Sequence, residues 1–200
     1  MFKRSQSDEE EIQRRQATVD LIIAYHMTAR DELNARIERR DAVVFWYLAA
    51  VGAFAGLIIA NYPASVAAVL LVPAFGLGVT VMHSRHNMVI GVLAVYIGTE
   101  LADAARGLLG LSTPMPWDGS TTLLSSRTPA LRSFASTVVI LVGPQVLSVG
   151  VAIYELEPTG PAIAGIIAAV LASTASCLVL LNAHAKRGEL RKLREASLGR

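Results

Sequence analysis

The chain contains uncharged stretches that are long enough for four membrane spans. Asp, Glu, Lys, Arg and His are all missing from positions 42–82, 133–154 and 158–183. A spanning helix needs about 20 mainly apolar residues, and the first stretch, roughly twice that length, is interrupted near its middle by Asn61-Tyr62-Pro63. The pattern predicts an all-α, four-helix integral membrane protein with spans at 42–60, 64–83, 133–154 and 161–183.

The distribution of Lys and Arg predicts which side each segment faces. Eight of the 18 lie at positions 1–40, four lie between Arg85 and Arg132, and six follow His184. The short hairpins at 61–63 and 155–160 contain none. Because Lys and Arg collect in cytoplasmic loops, we expect both hairpins to face outward and both termini to be cytoplasmic. The predicted organisation is then a cytosolic region at 1–41, transmembrane hairpins at 42–83 and 133–183, a cytosolic loop at 84–132 and a basic cytosolic tail at 184–200.

The N-terminal region has the pattern of a long cytosolic helix. Ser7 followed by acids through Glu10 is typical of a helix start, and one apolar stripe repeats at helical spacing: Val19, Ile22, Leu33 and Ile37. No Gly or Pro interrupts positions 8–51, so one helix can continue into the first span. The alternative is two helices with a bend near 26–30. In either case we expect the stripe to pack against another chain or against the loop that follows span two.

That loop predicts an amphipathic cytosolic helix over 86–111, where apolar residues recur in steps of three and four. Glu100, Asp103 and Arg106 argue against a fifth span. The helix should lie in the membrane interface or pack on the N-terminal helix. A turn-rich connector follows at 112–119, with Trp117 as a headgroup anchor or a domain contact.

No residue set resembles a catalytic or metal centre, so we expect no enzyme activity and no cofactor. His83 and His86 can share a helix face, but no Cys or carboxylate stands near them in the sequence. A membrane enzyme acting on lipid is a third alternative, which would need His83, His86, Glu100 and Asp103 to come together at the cytosolic edge. The spans have no ionisable residue except His83 at one end, which argues against proton pumps, ion-coupled transporters and voltage sensors.

Small polar side chains in spans three and four are the candidates for a pore lining. Pores can be lined by hydroxyl and amide groups, but the same residue types mediate helix packing, so both interpretations stay open. Pro73 and Gly143-Pro144 are candidate kinks. The pore-lining candidates are Ser136, Thr137, Gln145, Ser148, Ser173, Ser176 and Asn182.

Basic residues from three cytosolic segments lie next to the span ends. They can face anionic headgroups, or they can bind an anionic ligand such as a nucleotide, because Arg pairs phosphate through two hydrogen bonds. The candidates are Arg36, Arg39, Arg40, Arg85, Lys186, Arg187, Arg191 and Lys192.

Three motifs together resemble a known group of proteins. They are Tyr25-x4-Arg30-Asp31-Glu32-Leu33-x2-Arg36-Ile37-x-Arg39-Arg40, then His86-x3-Ile90-x5-Tyr96-Ile97-x2-Glu100-Leu101, and then Pro116-Trp117-Asp118. Over most of residues 20–120 the chain resembles small four-span bacterial membrane proteins, some of which are similar to the membrane effectors of nucleotide-signalling antiphage defence systems.

The resemblance implies a protein of the bacterial inner membrane that oligomerises or opens when a soluble partner enzyme makes a nucleotide signal. We therefore expect a homo-oligomeric, ligand-gated pore or membrane-disrupting effector in the lipid bilayer. The alternative is a non-enzymatic scaffold or sensor that docks a soluble partner through its cytosolic helices.

Overall fold

The computed structural model describes residues 2–60, 65–110 and 127–198, which are almost entirely helical and contain no strand. In chain order the helices are α1 (Phe2–Ile59), α2 (Ser65–Ala68), α3 (Leu71–Tyr96), a π-helical segment (Ile97–Leu101), α4 (Ala102–Leu109), α5 (Arg127–Glu155) and α6 (Gly160–Leu198).

Among the described residues, four stretches of helix are long and apolar enough to cross a membrane, which agrees with the predicted number of spans. They lie within Glu9–Ile59, Leu71–Leu108, Leu131–Glu155 and Gly160–Glu189. The protein is thus an all-helical membrane protein, as its uncharged stretches predicted.

Helix α1 is continuous across the point where a bend was the alternative. Its 58 residues correspond to a rod of about 87 Å at 1.5 Å per residue. Ion pairs one turn apart support the part before the first uncharged stretch, with Arg15 on Glu11 and Arg36 on Glu32. The N-terminal region and the first span therefore form a single helix.

The second span begins later than its hydropathy predicted. After α2 the chain turns, with the Val72 N–H donating to the Val69 carbonyl at 3.0 Å, and α3 starts at Leu71. Pro73 thus lies in the first turn of α3, where its missing N–H costs little. It marks the start of a helix, whereas the sequence pattern suggested a kink within one. The predicted hairpin at 61–63 lies outside the described residues.

The predicted amphipathic helix continues the second span without a break. Helix α3 runs through His86 to Tyr96, the π-helical segment adds one wider turn, and α4 ends at Gly110, whose φ of 62° is a left-handed cap. Of the two expected locations, the structure has packing on the N-terminal helix: Ala29 of α1 is buried with Ile97 and Leu101. The connector at 112–119, with Trp117, lies outside the described residues.

The second hairpin is short, and the tail continues its helix. Helix α5 ends at Glu155 with Pro144 inside it, and α6 opens at Gly160 after the Thr159 carbonyl accepts the Ile163 N–H at 2.9 Å. Because α6 runs to Leu198, the fourth span and the basic tail are one helix.

The core of the bundle joins all four long helices. Its buried residues are Tyr47 of α1, Val72 of α3, Leu141 and Val142 of α5 and Leu180 of α6. Helix α3 packs against each of the other three, so it is the element on which the others are assembled.

Candidate functional site

A buried polar cluster lies inside the bundle and is formed by three helices. The Gln145 side chain of α5 is fully buried, and its Nε2 donates to the Leu141 carbonyl at 2.8 Å. The Ser176 hydroxyl of α6 donates to Gln145 Oε1 at 3.1 Å, and the Tyr47 hydroxyl of α1 donates to the same Leu141 carbonyl at 3.1 Å. The cluster therefore ties α1, α5 and α6 together through hydrogen bonds.

The fourth long helix makes room for this cluster. Gly76 of α3 lies against Gln145, and a Cβ at position 76 would overlap the Gln145 side chain. One turn further, Thr80 is fully buried and returns its hydroxyl to the Gly76 carbonyl at 2.7 Å. The glycine on α3 thus leaves room for the glutamine side chain of α5. Small residues let membrane spans approach closely in this way.

The seven pore-lining candidates fall into two groups. Gln145, Ser148, Ser173 and Ser176 are buried within the chain, and the three serines each donate to a backbone carbonyl of their own helix. Ser136 and Asn182 are exposed and Thr137 is half-buried, and both Ser136 and Thr137 donate to the Ser133 carbonyl. The first group has the geometry of interhelical packing, whereas the second is available to a neighbouring chain.

A second polar cluster, here termed the arginine–asparagine node, joins Arg40, Asn87 and Arg187 at the cytosolic ends predicted for the spans. Arg40 Nη1 of α1 donates to Asn87 Oδ1 at 3.2 Å, and Arg187 Nη2 of α6 donates to the same oxygen at 3.1 Å. Arg187 Nη2 also lies 3.4 Å from the Asn87 carbonyl oxygen. Two guanidinium groups from different helices therefore share one amide of α3.

Next to Asn87, α3 carries two buried polar side chains, His83 and Ser84, each with one atom that has no partner among the described residues. The Asn87 amide Nδ2 lies 2.7 Å from His83 Nε2; since the amide nitrogen donates, the ring carries its proton on Nδ1. His83 and Ser84 are each only 8% exposed, yet His83 Nδ1 and Ser84 Oγ have no hydrogen-bond partner among the described residues. Buried polar groups are normally paired, so these two atoms require an explanation.

The charge at the node is unevenly compensated. Asp41 pairs with Arg40 at 2.7 Å and is largely exposed. Among the side chains that the structure describes, no carboxylate forms an ion pair with Arg187, which is itself exposed. The node is thus a positively charged surface next to the buried polar side chains His83 and Ser84 of α3.

Comparisons with known proteins do not extend this description. No family model, no curated protein and no solved structure matches the chain. The resemblance to antiphage effectors accordingly remains a prediction from the motif residues, and the chemistry of the site has to be argued from its own geometry.

Five of the other anionic-ligand candidates are not part of the node. Arg36 pairs with Glu32, and the side chain of Arg191 lies outside the described part of the chain. The remaining four are exposed: Arg39, Arg85, Lys186 and Lys192. The fold therefore selects Arg40 and Arg187 from a set that the sequence left undivided.

The residues considered for metal binding or lipid chemistry are not brought together. His86 and Glu100 lie along the same helical rod, separated by roughly 21 Å at 1.5 Å per residue, and Asp103 pairs with Arg106. In the described ranges no group of three or more His, Cys, Asp and Glu side chains is placed to hold a metal ion.

Two residues of these clusters were missed by the sequence analysis. Asn87 follows His83 by one helical turn, and that i,i+4 spacing was the available signal. Tyr47 is a hydroxyl-bearing residue within the first uncharged stretch, and a buried Tyr usually bonds its hydroxyl. Neither spacing identifies the partner, because the partners come from helices that are distant in sequence.

Proposed function

We propose that this chain is the protomer of a homo-oligomeric, ligand-gated membrane pore or membrane-disrupting effector. The observation that supports it best is that the Gln145 cluster inside the bundle is closely packed and hydrogen-bonded, while the part of α1 before the first span leaves large apolar side chains exposed. An ion path then runs between protomers, and a closed symmetric assembly is the usual way to build one.

The exposed apolar side chains of α1 supply the contact surface for such an assembly. Ile12 and Met27 are both 61% exposed, on a part of α1 that lies outside the first uncharged stretch. Ile23 is exposed as well and lies on the same face as Ile12 and Met27, since helical geometry places the three within about 60° of one another. The exposed Leu21 and Tyr25 lie on the opposite face. An exposed apolar face on a solvated helix marks an interaction site, and burying the face of Ile12, Ile23 and Met27 between copies would hold cytosolic helices together beneath the membrane.

Orientation follows from charge. The hairpins that contain no Lys or Arg face outward, and the part of α1 before the first span, the loop after span two and the tail are cytosolic. In this arrangement the node lies at the cytosolic membrane edge, where a nucleotide made by a soluble enzyme can reach it. The role in antiphage defence and the bacterial inner membrane location rest on the resemblance.

Membrane depolarisation on induced expression tests this proposal. Wild-type protein should collapse the membrane potential reported by a voltage-sensitive dye. Ile23→Asp, which places a charge on the exposed apolar surface, should abolish the effect, whereas Thr18→Asp, at an exposed polar position of the same helix, should not. Normal potential in cells whose membranes contain wild-type protein would contradict a pore that overexpression alone can open.

A scaffold that docks a soluble partner is the second candidate, and the same exposed α1 surface favours it. It differs in its outcome, because a scaffold leaves the membrane potential unchanged at any expression level. An effect of Ile23→Asp on partner recruitment without any depolarisation by the wild type would select this alternative.

A further inference from the structure

We infer that the arginine–asparagine node is a binding site for a phosphate group, held between the guanidinium groups of Arg40 and Arg187. This inference deepens the proposed function and rests on it for its regulatory consequence, but the site itself is argued from the node alone. It reduces eight candidate basic residues to two and adds Asn87, His83 and Ser84 as their polar support.

The two guanidinium groups together have more donors than the protein uses. Each guanidinium has five N–H groups, and Arg40 and Arg187 converge on one amide oxygen at 3.2 and 3.1 Å. Arg40 also places Nε and Nη2 on Asp41 Oδ1, whereas the described contacts of Arg187 use Nη2 alone, so the free donors belong mainly to Arg187. A phosphate has several acceptor oxygens and can be bound by two arginines at once.

Buried polar side chains of α3 support Asn87. His83 and Ser84 are both buried within one turn of Asn87 on the same helix. The Asn87 amide nitrogen donates to His83 Nε2 at 2.7 Å, which orients the amide so that its oxygen faces the two arginines. His83 and Ser84 therefore position the node, and the two guanidinium groups are the groups that can contact a ligand.

The node is accessible from outside the bundle and carries net positive charge. Arg187 is exposed and a quarter of the Arg40 side chain is accessible, so a ligand can approach without unfolding the bundle. Asp41, the acid nearest in sequence, is occupied by Arg40 and is itself 62% exposed. The net charge of the three charged residues therefore remains positive.

The node also provides a regulatory connection between the spans. Arg40 belongs to α1, Asn87 to α3 and Arg187 to α6. A phosphate that binds the two arginines changes their hydrogen bonds to Asn87, which link three helices at the ends predicted to be cytosolic. An occupant at this point is thus coupled to the position of α6, the helix that carries the exposed pore candidate Asn182.

The phosphate can come from a soluble phosphorylated compound or from a lipid headgroup. To distinguish the sources, the thermal unfolding midpoint of purified protein is measured in a neutral detergent against inorganic phosphate, with sodium chloride holding ionic strength constant. It is measured again in nanodiscs of phosphatidylcholine with and without phosphatidylglycerol. The variants are Arg187→Gln, Arg187→Lys and, as the matched control, Arg85→Gln, which removes an exposed arginine near the same edge.

We expect phosphate to raise the midpoint of the wild type and of Arg85→Gln. In Arg187→Gln the half-saturating concentration should rise by about tenfold or more, because hydrogen bonds to charged groups are strong. Arg187→Lys should lie between them, since Lys keeps the charge without the two-pronged geometry. A shift that depends on Arg187 only in phosphatidylglycerol nanodiscs would assign the same site to headgroups.

The inference is overturned if neither phosphate source produces stabilisation that depends on Arg187. A purely structural role of Arg187 would lower the midpoint equally at every phosphate concentration, which is distinguishable from a lost response. Because no conductance enters the measurement, a failed site leaves the pore proposal standing, and a missing pore leaves the site standing.

Discussion

Ser176 donates its hydroxyl to Gln145 Oε1 across the α5–α6 interface, at a distance of 3.1 Å. Gln145 in turn fills the space left by Gly76 of α3, and its amide shares the Leu141 carbonyl with Tyr47 of α1. One glutamine thus contacts every long helix of the bundle. Interhelical polar contacts of this kind contribute modestly to membrane protein stability, typically about 0.6 kcal/mol each, so the packing around Gln145 is expected to matter more than any single bond.

Gly76→Ala tests that packing. The added methyl group must displace Gln145, and overpacking of a filled interior costs about 1–3 kcal/mol. The unfolding midpoint of the purified protein should fall. Gly78→Ala on the same helix is the control, since a Cβ there meets no atom within 4 Å; equal effects of the two substitutions would show that close approach at position 76 is unimportant.

Ser176→Ala tests the hydrogen bond. Its loss should lower the free energy of unfolding by about 0.6 kcal/mol, the typical value for such a bond between spans. Thr174→Ala is the matched control, because the exposed Thr174 bonds only the Val170 carbonyl of its own helix, at 2.9 Å. Unfolding in denaturing detergent measures both, and a larger loss in Thr174→Ala would contradict the assignment.

Leu33→Asp and Ile23→Asp separate two kinds of contact on α1. Leu33 packs against Ala29, Ile97 and Leu101 within the chain, so a charge there should lower the stability of each protomer. Ile23 is exposed, so the same change at position 23 should reduce oligomer size on native gels while leaving the unfolding midpoint near that of the wild type. Oligomer loss in Leu33→Asp alone would shift the assembly surface to the packed stripe.

Reporter fusions test the predicted topology. Fusions at residue 1, at Gly119 and at Arg200 should all report a cytoplasmic location, because every Lys and Arg lies outside the short hairpins. An external signal at Gly119 with residue 1 cytoplasmic would mean that an odd number of spans precedes Gly119, which would contradict the predicted arrangement.

The spans could be predicted from sequence because a bilayer demands long uncharged stretches, and 42–82, 133–154 and 158–183 meet that demand. The absence of Gly and Pro from positions 8–51 allowed a continuous α1 but left a bend near 26–30 as an alternative. The start of α3 was not predictable, since hydropathy does not distinguish a proline that begins a helix from one that bends it. The continuation of α3 through His86 was not predictable either, because an amphipathic pattern looks the same whether or not a break precedes it.

The candidate sites were only partly predictable. Arg40 and Arg187 were among eight basic residues near the span ends, but nothing in the sequence indicates that Asn87 brings them together. Gln145 and Ser176 were named as pore or packing residues, since both roles use the same side chains. Which role applies depends on the distances between helices, and these are set by the fold.

The central claim is that copies of this chain assemble around a path that no single protomer contains. Particle-class averages of the purified protein in nanodiscs test it most directly, because they do not require the gate to be open. The account predicts a ring of several copies whose α1 helices project together on one side, and it predicts that Ile23→Asp disperses the ring. Averages that show only isolated four-helix protomers for the wild type would contradict it.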